Sequence, residues 1–294
     1  MARRRWMLWI AVVAILSGCG SAGNGRGADG LDQLHQQARD ALARYDKAVL
    51  DAGGHQGFVP VGELTGQLGD WEPKNGDNKQ ALLSGRVLAA AALPAAPRRT
   101  GKVVWKNGAT QTVPLLSADE ALNQMAAAGA GSCPECVPLE VTGARMTTMR
   151  IQTTRGPATA PAWEYTLKGT GVRVTRVTVA SSATIHVTPP SSDPYNPPGG
   201  VAIGSVTTTT SGRQLTVAFT GARGPRSQPC GADYSAEAVE SANAVVIIVI
   251  EHRHAGDEAC LALGAQRATT VELAQPLGTR AVLEVQHGMP IPVR

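Results

Sequence analysis

Ala244-Val245-Val246-Ile247-Ile248-Val249-Ile250 is an unbroken apolar run in which every residue after Ala244 is β-branched. β-Branched side chains fit a pleated strand better than a helix, and a strand that shows no polar alternation is one whose two faces are both covered. This stretch predicts the central strand of a sheet. Outward from it, Gln214 to Thr220 alternates around Leu215, Val217 and Phe219, and Thr269 to Leu273 and Ala281 to Val285 read as further short strands. No amphipathic helix competes with them. Residues 201–294 are therefore expected to form an all-β sandwich or partly open barrel, with Cys230 and Cys260 stapling the segments that flank the central strand.

Upstream, residues 189–200 read Pro-Pro-Ser-Ser-Asp-Pro-Tyr-Asn-Pro-Pro-Gly-Gly, which removes backbone donors and favours extended, exposed chain. A Pro-rich linker is expected there; a ligand for a proline-recognising domain is the functional alternative. Residues 31–188 mix both element types and predict an α+β domain. Leu31, Leu34, Ala38, Leu42, Tyr45 and Val49 recur in steps of three and four, the spacing of one helical face, and Gly53-Gly54 supplies a stop. The opposite face mixes both charge signs, so packing against its own domain is expected in preference to a membrane surface or a partner helix. Lys106-Asn107-Gly108-Ala109 joins two extended runs and predicts a tight hairpin. Ser117 followed by Glu120 has the form of a capping box before a short helix closed by Gly129. Leu139 to Thr154, Ala162 to Leu167 and Val172 to Val179 read as half-buried strands. The whole is expected to be α+β, mostly β.

The chain opens with Arg3, Arg4 and Arg5, an uncharged apolar run from Trp6 to Leu16, and then Ser17, Gly18 and Cys19. This is the three-part layout of an export signal, and the apolar run falls well short of the ~20 residues that a spanning helix needs. Leu16-Ser17-Gly18-Cys19 resembles the lipobox of bacterial lipoproteins. That resemblance implies removal of residues 1–18 and lipidation of Cys19 with a diacylglycerol carrying acyl chains such as palmitate. The alternative is an ordinary secretory signal with a cysteine beside its cleavage site. Paired arginines hint at twin-arginine export, but the polar and aromatic residues that should follow are missing, so general secretion is expected. Residues 19–30 are Gly-, Ser- and Ala-rich and read as a flexible tether.

Three of the four net positive charges lie in Arg3, Arg4 and Arg5, so the mature chain is nearly neutral, which argues against nucleic-acid partners. With aromatics at 4% and Trp71, Trp105 and Trp163 far apart, an aromatic sugar-binding platform is also disfavoured. Besides Cys19 there are four cysteines, an even number suited to an oxidising compartment, where three connectivities are possible. Pairing of Cys133 with Cys136 and of Cys230 with Cys260 keeps each bridge inside its own expected domain. The order Cys230, Glu240-Ser241, Val245 to Ile250, Cys260, Val271-Glu272-Leu273, Pro276-Leu277-Gly278-Thr279-Arg280 and Gly288-Met289-Pro290-Ile291-Pro292-Val293 resembles a recurring C-terminal module of uncharacterised exported actinobacterial proteins. The segments Gly156-Pro157-Ala158 and Pro161-Ala162-Trp163-Glu164 resemble such proteins less specifically. The resemblance implies an exported, disulfide-bonded β-module and transfers no catalytic residue.

Three groups of residues carry possible chemistry. Cys133-Pro134-Glu135-Cys136 has the spacing of a redox couple or half a zinc site, but Pro138 and a strand-like continuation leave it without the helix that activates a redox thiol, so a structural disulfide is expected. His252 and His254 flank Arg253 at a spacing that places both imidazoles on one side of a strand, with Asp257 and Glu258 close behind; two histidines and a carboxylate suit a transition metal, while an exposed polar strand end is the ordinary reading. Asp233, Glu237 and Glu240 could bind a cation or exchange protons, although extended backbone scatters them over both faces. No nucleophile elbow, Ser-x-x-Lys, His-Glu-x-x-His or phosphate-binding loop occurs. No metal, no cofactor and no catalytic residue is expected. The sequence points to a lipoprotein on the extracytoplasmic face of the cell membrane, held there by lipid on Cys19, that binds an envelope protein or a small ligand. An envelope enzyme, either a hydrolase with dispersed residues or a thiol oxidoreductase using Cys133 and Cys136, is the alternative.

Overall fold

The computed structural model describes residues 26–54, 57–72, 76–95, 98–191, 198–209, 211–256, 258–261 and 263–294, with backbone alone for residues 26–29 and 76. The expected signal peptide and Cys19 lie outside the described residues, as does the middle of the expected linker. The fold is mostly β, with antiparallel sheets, three α-helices among the described residues and no closed barrel. Among these residues no helix is long and apolar enough to cross a membrane.

The first sheet is built on one long hairpin, β6 (Leu139–Thr153) with β7 (Ala158–Leu167), paired from Val141↔Leu167 to Ile151↔Ala158. Each outer edge of that hairpin carries two short neighbours. β6 takes β3 (Val87–Ala89) in parallel near its start and β1 (Pro60–Val61) near its end. β7 takes β8 (Arg173–Val177) along its second half and β4 (Thr100–Trp105) at its first residues; β8 continues to β2 (Thr65–Leu68), and β4 to β5 (Thr110–Pro114). The β4–β5 hairpin turns at Gly108, which adopts the positive φ of 85° that makes glycine suitable there.

α2 (Gly76–Leu83) and α3 (Ala118–Ala127) cover one end of this sheet. α3 starts as expected: Ser117 accepts from the Glu120 amide and the Glu120 carboxylate accepts from the Ser117 amide, so two otherwise unsatisfied donors are paired. Trp163 Nε1 donates to the Leu116 carbonyl (3.1 Å) and Tyr165 Oη to that of Ala118 (2.8 Å), tying the helix start to β7. The chain leaving α3 crosses the end of α2 so closely that a Cβ on Gly129 would lie 2.3 Å from the Gly85 nitrogen.

The C-terminal half is a sandwich of two three-stranded sheets. β9 (Ile203–Thr208), β10 (Gln214–Ala222) and β13 (Gly264–Glu272) form one; β11 (Ala232–Glu240), β12 (Ala244–Arg253) and β14 (Ala281–Glu284) form the other. Leu215, Val217 and Phe219 face Val245, Ile247 and Val249 across the core. The alternate residues Ala244, Val246 and Ile248 are equally buried, against α1 (Arg26–Asp51), whose Ala38, Ala41, Leu42, Tyr45 and Val49 form the third layer. This explains why the central strand carries no polar alternation.

Two expectations change here. The amphipathic helix does not pack chiefly within residues 31–188; it crosses to the C-terminal sheet, because the outer face of β12 and β14 is the large apolar surface that matches its stripe. Polar contacts fix that position: His35 Nε2 meets Glu237 Oε2 at 2.8 Å, and Asp46 accepts from Ser241 and Asn243. Gly288 lies so close to the helix that a Cβ there would come within 2.7 Å of the Ala41 Cβ. The tether is also shorter than residues 19–30, since α1 begins at Arg26 and runs through Gly30. A helical glycine costs roughly 1 kcal/mol relative to alanine, which the packed turns that follow outweigh.

Candidate functional site

Both expected disulfides are formed, Cys133 with Cys136 and Cys230 with Cys260. The first is buried among Leu122, Met125, Leu139 and Trp163. It closes a turn in which the Cys136 amide donates to the Cys133 carbonyl, and Arg86 Nε donates to the Cys136 carbonyl at 2.7 Å. No helix starts at this pair, so its sulfurs receive neither the access nor the helix-terminus field that a working redox couple needs.

The second disulfide is exposed and borders a pocket of about 470 Å³ at one end of the C-terminal sandwich. His254, Glu258, Glu251 and Arg253 line it. Leu261 and Leu263 stand at its rim, 82% and 54% exposed. Glu258 Oε1 accepts from the Cys230 amide at 2.7 Å, and this bond holds its carboxyl below the usual carboxylate range. Glu251 accepts a hydrogen bond from the Tyr234 hydroxyl at 2.9 Å and pairs with Arg253.

The two histidines separate, contrary to their expected placement on one side of a strand. β12 ends at Arg253, so His254 leaves the sheet and enters this pocket, whereas His252 stays in register opposite Asp233 and bonds Ser235 Oγ at 2.8 Å. Asp257 lies outside the described residues. The three acids of β11 are dispersed too. Asp233 accepts from the Arg226 amide, Glu237 holds His35, and Glu240 pairs with Arg280 at 2.7 Å. Each has a structural partner, and together they form no common site.

A larger depression, about 790 Å³, lies on the first sheet near the β6–β7 turn. Residues paired across neighbouring strands share a face, and the register places Val104, Thr159 and Arg150 side by side across β4, β7 and β6. Val61 and Gln152 form the adjacent pair across β1 and β6, and Lys106 and Pro157 complete the lining. Val104 is 41% exposed, as an uncovered apolar floor requires. Among the described residues Arg150 and Lys106 make no ion pair, while Glu63 at the rim interacts with half-buried Arg176. Sequence reading gave none of these residues a binding role, because the groove arises from long-range pairing of four strands. No protein-family model matches this chain, and neither a curated protein nor a solved structure shows significant similarity to it.

Proposed function

We propose that this chain is a lipoprotein, tethered through lipid on Cys19 to the extracytoplasmic face of the cell membrane, that binds an envelope protein or small ligand in the open groove of its first sheet. The observation that carries the binding reading is the groove itself: an uncovered floor of Val61, Val104 and Pro157 beside two cations, Arg150 and Lys106, that make no ion pair among the described residues. Its volume falls within the roughly 300–1,000 Å³ of small-molecule sites. Its chemistry suits an anionic group attached to an apolar moiety. The export signal and the lipobox resemblance support the location, and the two disulfides accord with an oxidising compartment.

The test is a pull-down from intact cells with the mature body as bait, run in parallel with Arg150→Glu, Val104→Asp and, as a surface control, Lys168→Glu. A species captured by the wild type and the control and lost with both groove variants supports the reading. Identical capture by all four proteins would overturn it. Membrane fractionation of Cys19→Ser addresses the anchor separately: the variant should leave the membrane fraction or stay unprocessed.

A further inference from the structure

Four metal-ligating side chains converge beside the exposed disulfide. A carboxylate oxygen of Glu258 and the sulfurs of Cys230 and Cys260 all lie within 4.8 Å of one another, and His254 Nε2 is 3.9 Å from Glu258 Oε1. They come from three places in the chain: the β10–β11 connection, the end of β12 and the loop before β13. The imidazole is already oriented. Its Nδ1 lies 2.8 Å from the Arg226 carbonyl, which can only accept, so Nδ1 carries a proton and Nε2 is the ring nitrogen that faces Glu258. This is how metal-binding histidines are set, with the far nitrogen donating to a backbone carbonyl. Nε2 and the carboxylate thus offer two donor atoms to one cation.

We propose that reduction of the Cys230–Cys260 disulfide opens a zinc-type site formed by Cys230, Cys260, His254 and Glu258. In the oxidised protein the two sulfurs are bonded to each other and offer no thiolate. A dithiol reductant supplies two electrons and two protons, becomes a disulfide itself, and leaves two cysteine thiols. Binding of one divalent ion then releases those two thiol protons and forms two metal–sulfur bonds, one bond to Nε2 and one to a Glu258 oxygen. Tetrahedral zinc holds S ligands at about 2.3 Å and N or O ligands at about 2.0–2.2 Å, which places neighbouring ligand atoms roughly 3.3–3.8 Å apart. The Glu258 oxygen lies within 4.8 Å of both sulfurs and 3.9 Å from His254 Nε2, about an ångström or less beyond that spacing, and the two sulfurs, now bonded to each other, must move apart once the S–S bond is gone. On the outer face of a membrane the oxidised form is the resting state, so metal uptake would mark reducing conditions.

The experiment titrates Co²⁺ and Zn²⁺ into the mature protein before and after reduction with a phosphine, the reductant being removed without air. The reduced protein should take up one Co²⁺ at this site with thiolate charge-transfer and tetrahedral d–d bands, and the oxidised protein should show neither. Cys230→Ser should abolish these bands and Cys133→Ser should keep them, which separates this site from the other thiol pair. His254→Ala and Glu258→Ala should each weaken binding about tenfold or more, the scale seen when even an outer partner of a metal ligand is lost. His252→Ala, on the other side of the strand end, should leave it unchanged. Equal uptake by the oxidised protein, bands that survive Cys230→Ser, or affinity indifferent to both His254→Ala and Glu258→Ala would each overturn the proposal.

Discussion

Arg280 is a single side chain on which a whole corner of the C-terminal sandwich depends. Its guanidinium pairs with Glu240 at 2.7 Å and donates to the carbonyls of Gln275 and Pro276, so it closes the loop before β14 onto β11. Both side chains are mostly buried, and removing one member of such a pair strands the other without water. Arg280→Ala should therefore cost about 3 kcal/mol, measured as a fall in urea midpoint at unchanged slope. The pair also has a pH signature. Burial would raise the Glu240 carboxyl, but the Arg280 hydrogen bond, the Ala274 amide and the guanidinium charge together hold it below the ordinary value of 4.5. A depressed carboxyl contributes stability above its unfolded value and loses it as pH falls through the folded one, so the loss is confined to pH below about 4.5. Glu240→Gln should flatten the stability decline in that acid window, and an unchanged decline would show that the pair carries no such coupling. The buried Cys133–Cys136 bridge makes the opposite prediction. Closing so short a loop is worth only roughly 1–2 kcal/mol on the chain-entropy scale, against about 3–4 for the loop closed by Cys230 and Cys260. Replacing both Cys133 and Cys136 with serine should lower the melting temperature slightly, and the wild type should not reduce insulin catalytically. Turnover in that assay would favour the oxidoreductase.

At the scale of elements, α1 tests how the layers are held. Leu42→Ala should destabilise the protein by about 2–4 kcal/mol. Its particular consequence is local: amide exchange should rise in β12 and β14, which α1 covers, and not in β7 and β8 of the other sheet. The same helix shows what the sequence could and could not tell. Its period, the Ser117 capping box, the Asn107-Gly108 hairpin and the strands at Gln214 and Ala244 were legible because each signal is local, carried by residues within a turn or two of one another. The helix's partner was not legible, since its stripe specifies an apolar surface without saying which one. The apolar run of β12 did hold that information in part, because a strand buried on both faces needs two covering layers. β1, β2 and β3 escaped notice because they are two to four residues long and exist only as edges for β6 and β8. The groove on the first sheet was invisible for the same reason. The pocket beside Cys230 was half visible: Glu258 and His254 were legible as possible ligands, but their proximity to the sulfurs depends on where β12 ends.

For the whole molecule, the crossing of α1 makes the two halves interdependent in a way that a chain with a linker at residues 189–200 would not be. The helix belongs by sequence to the first half and by packing to the second, and Val59 and Ile185 from the first half join its apolar cluster. Near the C-terminus, the Val293 amide reaches the Thr153 carbonyl at the end of β6. A protease given the folded protein should cut preferentially within the proline-rich stretch between Pro189 and Gly200, because strands and helices do not fit a protease site and the sequence of this stretch favours neither. On a denaturing gel the product should be two fragments. In size-exclusion chromatography without denaturant the fragments should nevertheless travel together as one species of unchanged volume, since the second fragment alone would expose Ala244, Val246, Ile248 and Leu283 to water. Burial of α1 against those residues removes several large side chains from solvent, each worth roughly 1.5–3 kcal/mol, more than enough to keep nicked chains associated at micromolar concentration. Leu42→Ala should make the nicked pair separate at lower denaturant than the nicked wild type. Two fragments that part spontaneously after cleavage would mean that the helix does not hold the C-terminal sheet in solution.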